Sequence, residues 1–156
     1  MVVGVKFFYF FIKERRVSAL NEILRVLKVG GEALVYCWAR SQQRDDNLSS
    51  WANKKVAKET GSTYKIETAP ASPFSFLPIY NEEVDFSQTD VLVPWTKADS
   101  KDVSKHHRYY HVFNEGELES LLKLVKPSPE VVNSYYEQGN WVIHFKKSYR
   151  SVLSIT

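Results

Sequence analysis

Residues 14–39 read ERRVSALNEILRVLKVGGEALVYCWA, and no other stretch constrains the fold as much. Val17, Leu20, Ile23, Leu24 and Leu27 recur at helical spacing while Arg16, Asn21, Glu22 and Arg25 fall on other sides, which predicts one amphipathic helix over residues 14–28. Gly30 and Gly31 follow it, and a glycine just past a helix takes the left-handed conformation that satisfies dangling carbonyls. The chain then passes straight into a near-continuous apolar run at residues 32–39. Apolar and polar residues stop alternating where both faces of a strand are buried. The run is therefore expected as an inner strand of a parallel sheet covered on both sides, which makes the fold α/β.

The amino terminus, MVVGVKFFYFFIKERR, carries an apolar run over residues 2–12 interrupted by Lys6. That is far short of the roughly 18–20 residues needed to span a membrane, so no membrane helix is expected. Lys13, Arg15 and Arg16 follow the run, whereas a secretory leader has its positive charge ahead of the apolar stretch. Val, Phe, Tyr and Ile bounded by charge predict a buried strand instead. Lying beside residues 32–39, it would cover an edge that is otherwise unpaired.

Residues 40–88 lose all period. Polar residues dominate, Pro70, Pro73 and Pro78 interrupt, and the segment is expected as a long, disordered or functional insertion with one helical turn at residues 54–59. Order returns at DVLVPWT, residues 90–96. Asn114 and Glu117 make a capping-box-like start, and Leu118, Leu121, Leu122 and Val125 form a second helical stripe that Pro127 and Pro129 end. EVVNSYYEQGNWVIHFKK then gives two strand-like runs around Gln138, Gly139 and Asn140, an antiparallel hairpin followed by a polar tail.

A chain of 156 residues at 44% hydrophobic and 25% charged can bury a real core as one domain. A net charge of +3 permits an anionic partner without demanding one. The single cysteine, Cys37, excludes an internal disulfide framework and points to a reducing compartment, cytoplasm or also nucleus. Placed inside an apolar strand, it reads as a small filler rather than a nucleophile. Trp38 and Trp141 read as core.

The chemistry concentrates in KHHRYYH, residues 105–111. Arg108 with Tyr109, Tyr110 and His111 combines a phosphate-pairing cation with aromatic faces for stacking, and Lys101, Lys105, His106 and His107 add cationic attraction. The plainer alternative is a strand whose tyrosines alternate between core and solvent. Trp95, after Pro94, is either a second stacking platform or a plug against the sheet. His107 and His111 would share a metal only on a helix, and no cysteine pair accompanies them, so no metal site is expected.

The blocks ERRVSALNEILRVLKVGGEALVYCWA, DVLVPW, RYYHVFNEGELE and SYYEQGNW, in this order, resemble the tRNA wobble-uridine methyltransferases: the yeast-type tRNA methyltransferase 9 proteins and the methyltransferase region of AlkB homologue 8. The resemblance implies that residues 1–156 are part of a methyltransferase domain. That part is the C-terminal half of a class I S-adenosylmethionine-dependent, Rossmann-like sheet ending in an antiparallel hairpin. The implied activity is methyl-ester formation on 5-carboxymethyluridine at the tRNA wobble position. S-adenosylmethionine would be the cofactor, tRNA the partner, and a small zinc-containing activator protein a second partner. On that basis Trp95, Arg108, Tyr109, Tyr110 and His111 would face tRNA.

The sequence departs from the family at three places. No two glycines stand as G-x-G, so neither the glycine-rich cofactor turn nor its companion ribose-binding acid is present, and no cofactor is expected to bind this chain alone. Residues 1–13 stand where the family has a strand ending in a histidine pair. Val29 replaces the proline of the LxPGG turn, with loss of rigidity but little chemistry. The alternative reading is a non-catalytic tRNA- or partner-binding module from a truncated product.

Overall fold

A computed structural model of the chain describes residues 2–5, 12–45, 47–49, 52, 77, 85–95 and 106–148, with residues 2–5 and 95 described by backbone alone. The middle of the polar insertion, including the turn expected at residues 54–59, lies outside the described residues.

Strand β1 (Val2–Val5) leads through residues 6–11, also outside the described set, to helix α1 (Lys13–Val26) and strand β2 (Glu32–Trp38). β1 and β2 pair in parallel, Val2 opposite Glu32 and Val5 opposite Val35, so the amino-terminal strand does cover that edge. Glu14 in the first turn of α1 and Arg25 in the last complement the helix dipole. Beyond the helix, the Lys147 ammonium donates to the Leu27 carbonyl at 2.7 Å, and Gly30 turns the chain at φ 74°.

Two short ribbons follow: β3 (Gln43–Arg44) with β4 (Asn47–Leu48), then β5 (Asp90–Trp95) with β6 (His106–His111), both antiparallel. Helix α2 (Glu117–Leu122) begins where expected. Its start carries the second half of a capping box, the Asn114 amide donating to Glu117 Oε2 at 3.2 Å, while Gly116 occupies the cap position. Strands β7 (Glu130–Glu137) and β8 (Asn140–Lys146) are joined by Gln138 and Gly139, both at positive φ (48° and 80°), the backbone of a tight two-residue antiparallel turn.

The main sheet has the order β1-β2-β8-β7, with β8 antiparallel to both neighbours. Ala33, Val35 and Cys37 of β2 lie opposite Phe145, Ile143 and Trp141 of β8 and point to one face. There they meet Leu20, Leu24 and Leu27 from α1 and the segment after it, and Leu118, Leu121 and Leu122 of α2, with Phe113 between the layers. Burying a side chain of this size contributes about 1.5–3 kcal/mol each, so this face holds the sheet and both helices together.

Full burial of β2 on both faces is not what the structure shows. Glu32, Leu34, Tyr36 and Trp38 are only half-buried, alternating with buried Ala33, Val35 and Cys37. The reason is that α1 and α2 cover the same face. The strand is apolar on both sides but covered by described helices on one. On edge strand β7 the register shifts between Val131 and Asn133, a bulge that disrupts strand pairing at an exposed edge.

Candidate nucleic-acid interface

The β5–β6 ribbon stands beside the carboxyl end of β2. Residues 112–113 join it there: the Phe113 amide donates to the Trp38 carbonyl (2.7 Å) and the Arg40 amide to the Phe113 carbonyl (2.9 Å). Arg40 extends the junction, its Nε donating to the Phe86 carbonyl at 3.1 Å and Nη2 to Ser87 at 2.9 Å. In α/β sheets the ligand crevice lies outside the carboxyl ends of the strands, which is where this ribbon projects.

Pairing in the ribbon sorts the KHHRYYH residues by face. Val91 lies opposite Tyr110 and Val93 opposite Arg108; Asp90 lies opposite His111 and Leu92 opposite Tyr109. Tyr110 is buried and stacked on Trp38, ring centroids 4.8 Å apart and planes 16° apart, in a cluster with Phe86, Val91 and Val112. His111, 5% exposed, points the other way. Its Nδ1 lies 2.9 Å from Asp90 Oδ1 and its Nε2 2.7 Å from Glu117 Oε1, with the edge of Phe113 beside the ring. The half-buried Tyr109 hydroxyl donates to the same Asp90 oxygen at 2.5 Å. Buried Arg16 sits 3.7 Å from Glu117 and over the Phe113 ring.

Burial pushes both carboxyls up. At Asp90 the hydrogen bonds from Tyr109 and His111 and the nearby imidazole charge outweigh it; at Glu117 His111, the Asn114 amide and Arg16 do. Both are held below the ordinary carboxylate range and are ionised at neutral pH. One carboxylate oxygen thus faces each ring nitrogen of His111, so the imidazole bridges β5 and α2. Burial and the Asp90 carboxylate together push the Tyr109 phenol well above its usual range, so it remains a donor.

The four residues therefore separate. Tyr110 and His111 anchor the ribbon on opposite faces, Tyr109 is tied to Asp90 by its hydroxyl, and His106, His107 and Arg108 are exposed. Trp95 is described by its backbone, which pairs with His106. Among the described residues no group of three His, Cys, Asp or Glu could hold a metal, and no helix is long and apolar enough to cross a membrane.

A groove of about 560 Å³ opens nearby, lined by Arg44, Asp45, Glu115, Glu119, Tyr136 and Trp141 among others. The Arg44 guanidinium lies 4.9 Å from the Trp141 ring centroid and 3.2 Å from Glu115. Trp141, expected as core, is half-buried and forms part of this wall. Trp38 likewise packs on Tyr110 rather than inside the main core. Glu117 and Asp90 lie 6 and 21 residues from His111, and Arg16 reaches Glu117 from the first turn of α1, so sequence spacing gives no sign of Arg16 or Asp90; Glu117 stands out in the sequence only as a cap.

No protein-family model matches the chain. It is 33% identical over 89% of its length to the tRNA (carboxymethyluridine(34)-5-O)-methyltransferase alkbh8 of Xenopus tropicalis. To the Macaca fascicularis protein of the same name it is 31% identical over 90% of its length. The chain is a relative of the tRNA carboxymethyluridine methyltransferases. A third member of this methyltransferase family, from Saccharomyces cerevisiae, is 26% identical over 86% of the chain. The chain spans 24% of the frog methyltransferase, 29% of the macaque one and 57% of the yeast one.

Proposed function

We propose that the chain forms the substrate-facing wall of a tRNA methyltransferase and that its β5–β6 ribbon meets the anticodon loop. Similarity to carboxymethyluridine methyltransferases along nine-tenths of the chain carries this reading. The order β1-β2-β8-β7 with a reversed β8 supports placing it in a class I, Rossmann-like methyltransferase sheet that closes with an antiparallel hairpin. Single-stranded loop bases are recognised by stacking on aromatic rings and guanidinium planes, and phosphates by cations. Arg108 and the neighbouring His106 and His107 supply both on an exposed part of the ribbon, Trp95 is a further candidate ring by its register opposite His106, and Tyr109, Tyr110 and His111 hold the ribbon in place. For ester formation on a uridine carboxymethyl group, such a wall contributes alignment of the carboxylate and exclusion of water.

S-adenosylmethionine is the methyl donor such an enzyme implies, and the residues of this chain do not fit it. A donor cradle of this fold needs a glycine turn between a strand and the following helix. Between β1 and α1 the sequence is KFFYFFI, without glycine; Gly116, between β6 and α2, stands alone with no second glycine beside it, and the glycines that begin β2 and join β7 to β8 make turns that lead into strands. This favours, as a second reading, a module that binds tRNA without catalysing transfer.

Binding of an anticodon stem-loop RNA, with and without the carboxymethyl group on its wobble uridine, tests the proposal. We expect binding at low salt that is tighter for the modified RNA; no binding of either would contradict the reading. A calorimetric titration with S-adenosylmethionine separates the two forms of it. No heat of binding is expected, and micromolar affinity would show a donor site in this chain.

A further inference from the structure

The two faces of the β5–β6 ribbon are fastened by different physics. On one, Tyr110 stacks on Trp38, a largely apolar and non-directional contact. On the other, directional bonds converge on His111 from Asp90 of β5 and Glu117 of α2, with Tyr109 of β6 and Arg16 of α1 completing the cluster. Among the described residues β5 and β6 pair as strands only with each other, and residues 112–113 tie only the base of the ribbon to β2. Arg108 lies three residues, about 10 Å, beyond His111. Its direction in space thus depends on how the base is held.

We propose that His111 is a positioning residue that fixes the β5–β6 ribbon, and Arg108 with it, against α2 without touching nucleotide itself. The consequence for tRNA rests on the reading given above; the positioning does not. A side chain that reaches only one of the two carboxylates would break the bridge between Asp90 of β5 and Glu117 of α2, and the ribbon would lose its directional hold on that helix.

Native-state hydrogen exchange of the full chain, comparing β5 and β6 amides with those of β2 and β8, tests this. His111→Gln is expected to speed exchange in β5 and β6 by roughly tenfold or more while β2 and β8 stay within about twofold. Adding Glu117→Gln, which removes the carboxylate left without a donor, is expected to recover most of the protection. Unchanged ribbon exchange in His111→Gln overturns the proposal, and so does a loss spread evenly through the sheet. Should His111→Gln not fold, Glu117→Gln alone is expected to give a smaller increase confined to the ribbon, and no increase overturns the proposal. In RNA binding, Arg108→Ala is expected to cost less in the His111→Gln background than in the native chain. If Arg108→Ala has no effect in either background while ribbon exchange responds as described, the tRNA reading fails and the positioning role stands.

Discussion

Gly139 and Gly116 share a backbone conformation, φ 80° and 77°, but not surroundings, so substituting each by alanine separates backbone strain from local crowding. A Cβ on Gly116 would meet nothing within 4 Å. Gly116→Ala therefore costs only the left-handed penalty, about 1 kcal/mol. A Cβ on Gly139 would sit 2.2 Å from Gln42 Oε1 and 3.0 Å from the Ser49 Cβ. The end of a glutamine could ordinarily move aside, but Gln42 is buried and committed. Its Nε2 donates to the Ala39 and Gly139 carbonyls at 2.8 and 2.9 Å, and its Oε1 accepts from the Ser49 hydroxyl at 3.1 Å. Displacing it strands at least one buried polar group, about 1–3 kcal/mol, so Gly139→Ala should cost about 2–4 kcal/mol in all. Urea unfolding followed by circular dichroism measures both variants. Equal losses would refute the reasoning, since they would mean that Gln42 yields without cost.

Two further outcomes follow from the buried groups. Asp90 and Glu117 both have folded-state carboxyls held below their ordinary values of 3.8 and 4.5, so the unfolded chain binds their protons more readily. Their contribution to stability is complete above the unfolded values and is lost as pH falls through the folded ones. The urea midpoint should drop as pH goes from 6 towards 3, and Asp90→Asn should flatten that drop; an unchanged slope would remove Asp90 from the account. Burial, with the Glu117 charge adding to it, pushes the Cys37 thiol far above its usual range, and the side chain is 3% exposed. An aromatic disulfide reagent at pH 8 should modify it only after denaturant is added, and prompt reaction of the folded chain would contradict its placement.

The helix, glycine turn and strand of residues 13–38 were legible because period and turn chemistry are local. The same holds for the α2 stripe and the turn at Gln138 and Gly139. The face coverage of β2 was not, since an apolar run states that a strand can be buried on both sides and not which sides helices cover. In the KHHRYYH segment, alternation implied that neighbours point oppositely, but not that the buried His111 would find Asp90, Glu117 and Arg16. Those partners come from β5, α2 and α1, and only tertiary folding assembles them. Arg44, paired with Trp141 and Glu115 across the groove, carried no local signal at all.

The central claim is that an anchored ribbon presents Arg108 to RNA. The salt dependence of anticodon stem-loop binding, measured for the native chain and for Arg108→Ala, tests it most directly. One lost phosphate contact should weaken binding and lower the slope of log affinity against log salt by about 0.7. Equal affinities and equal slopes across the salt series would contradict it.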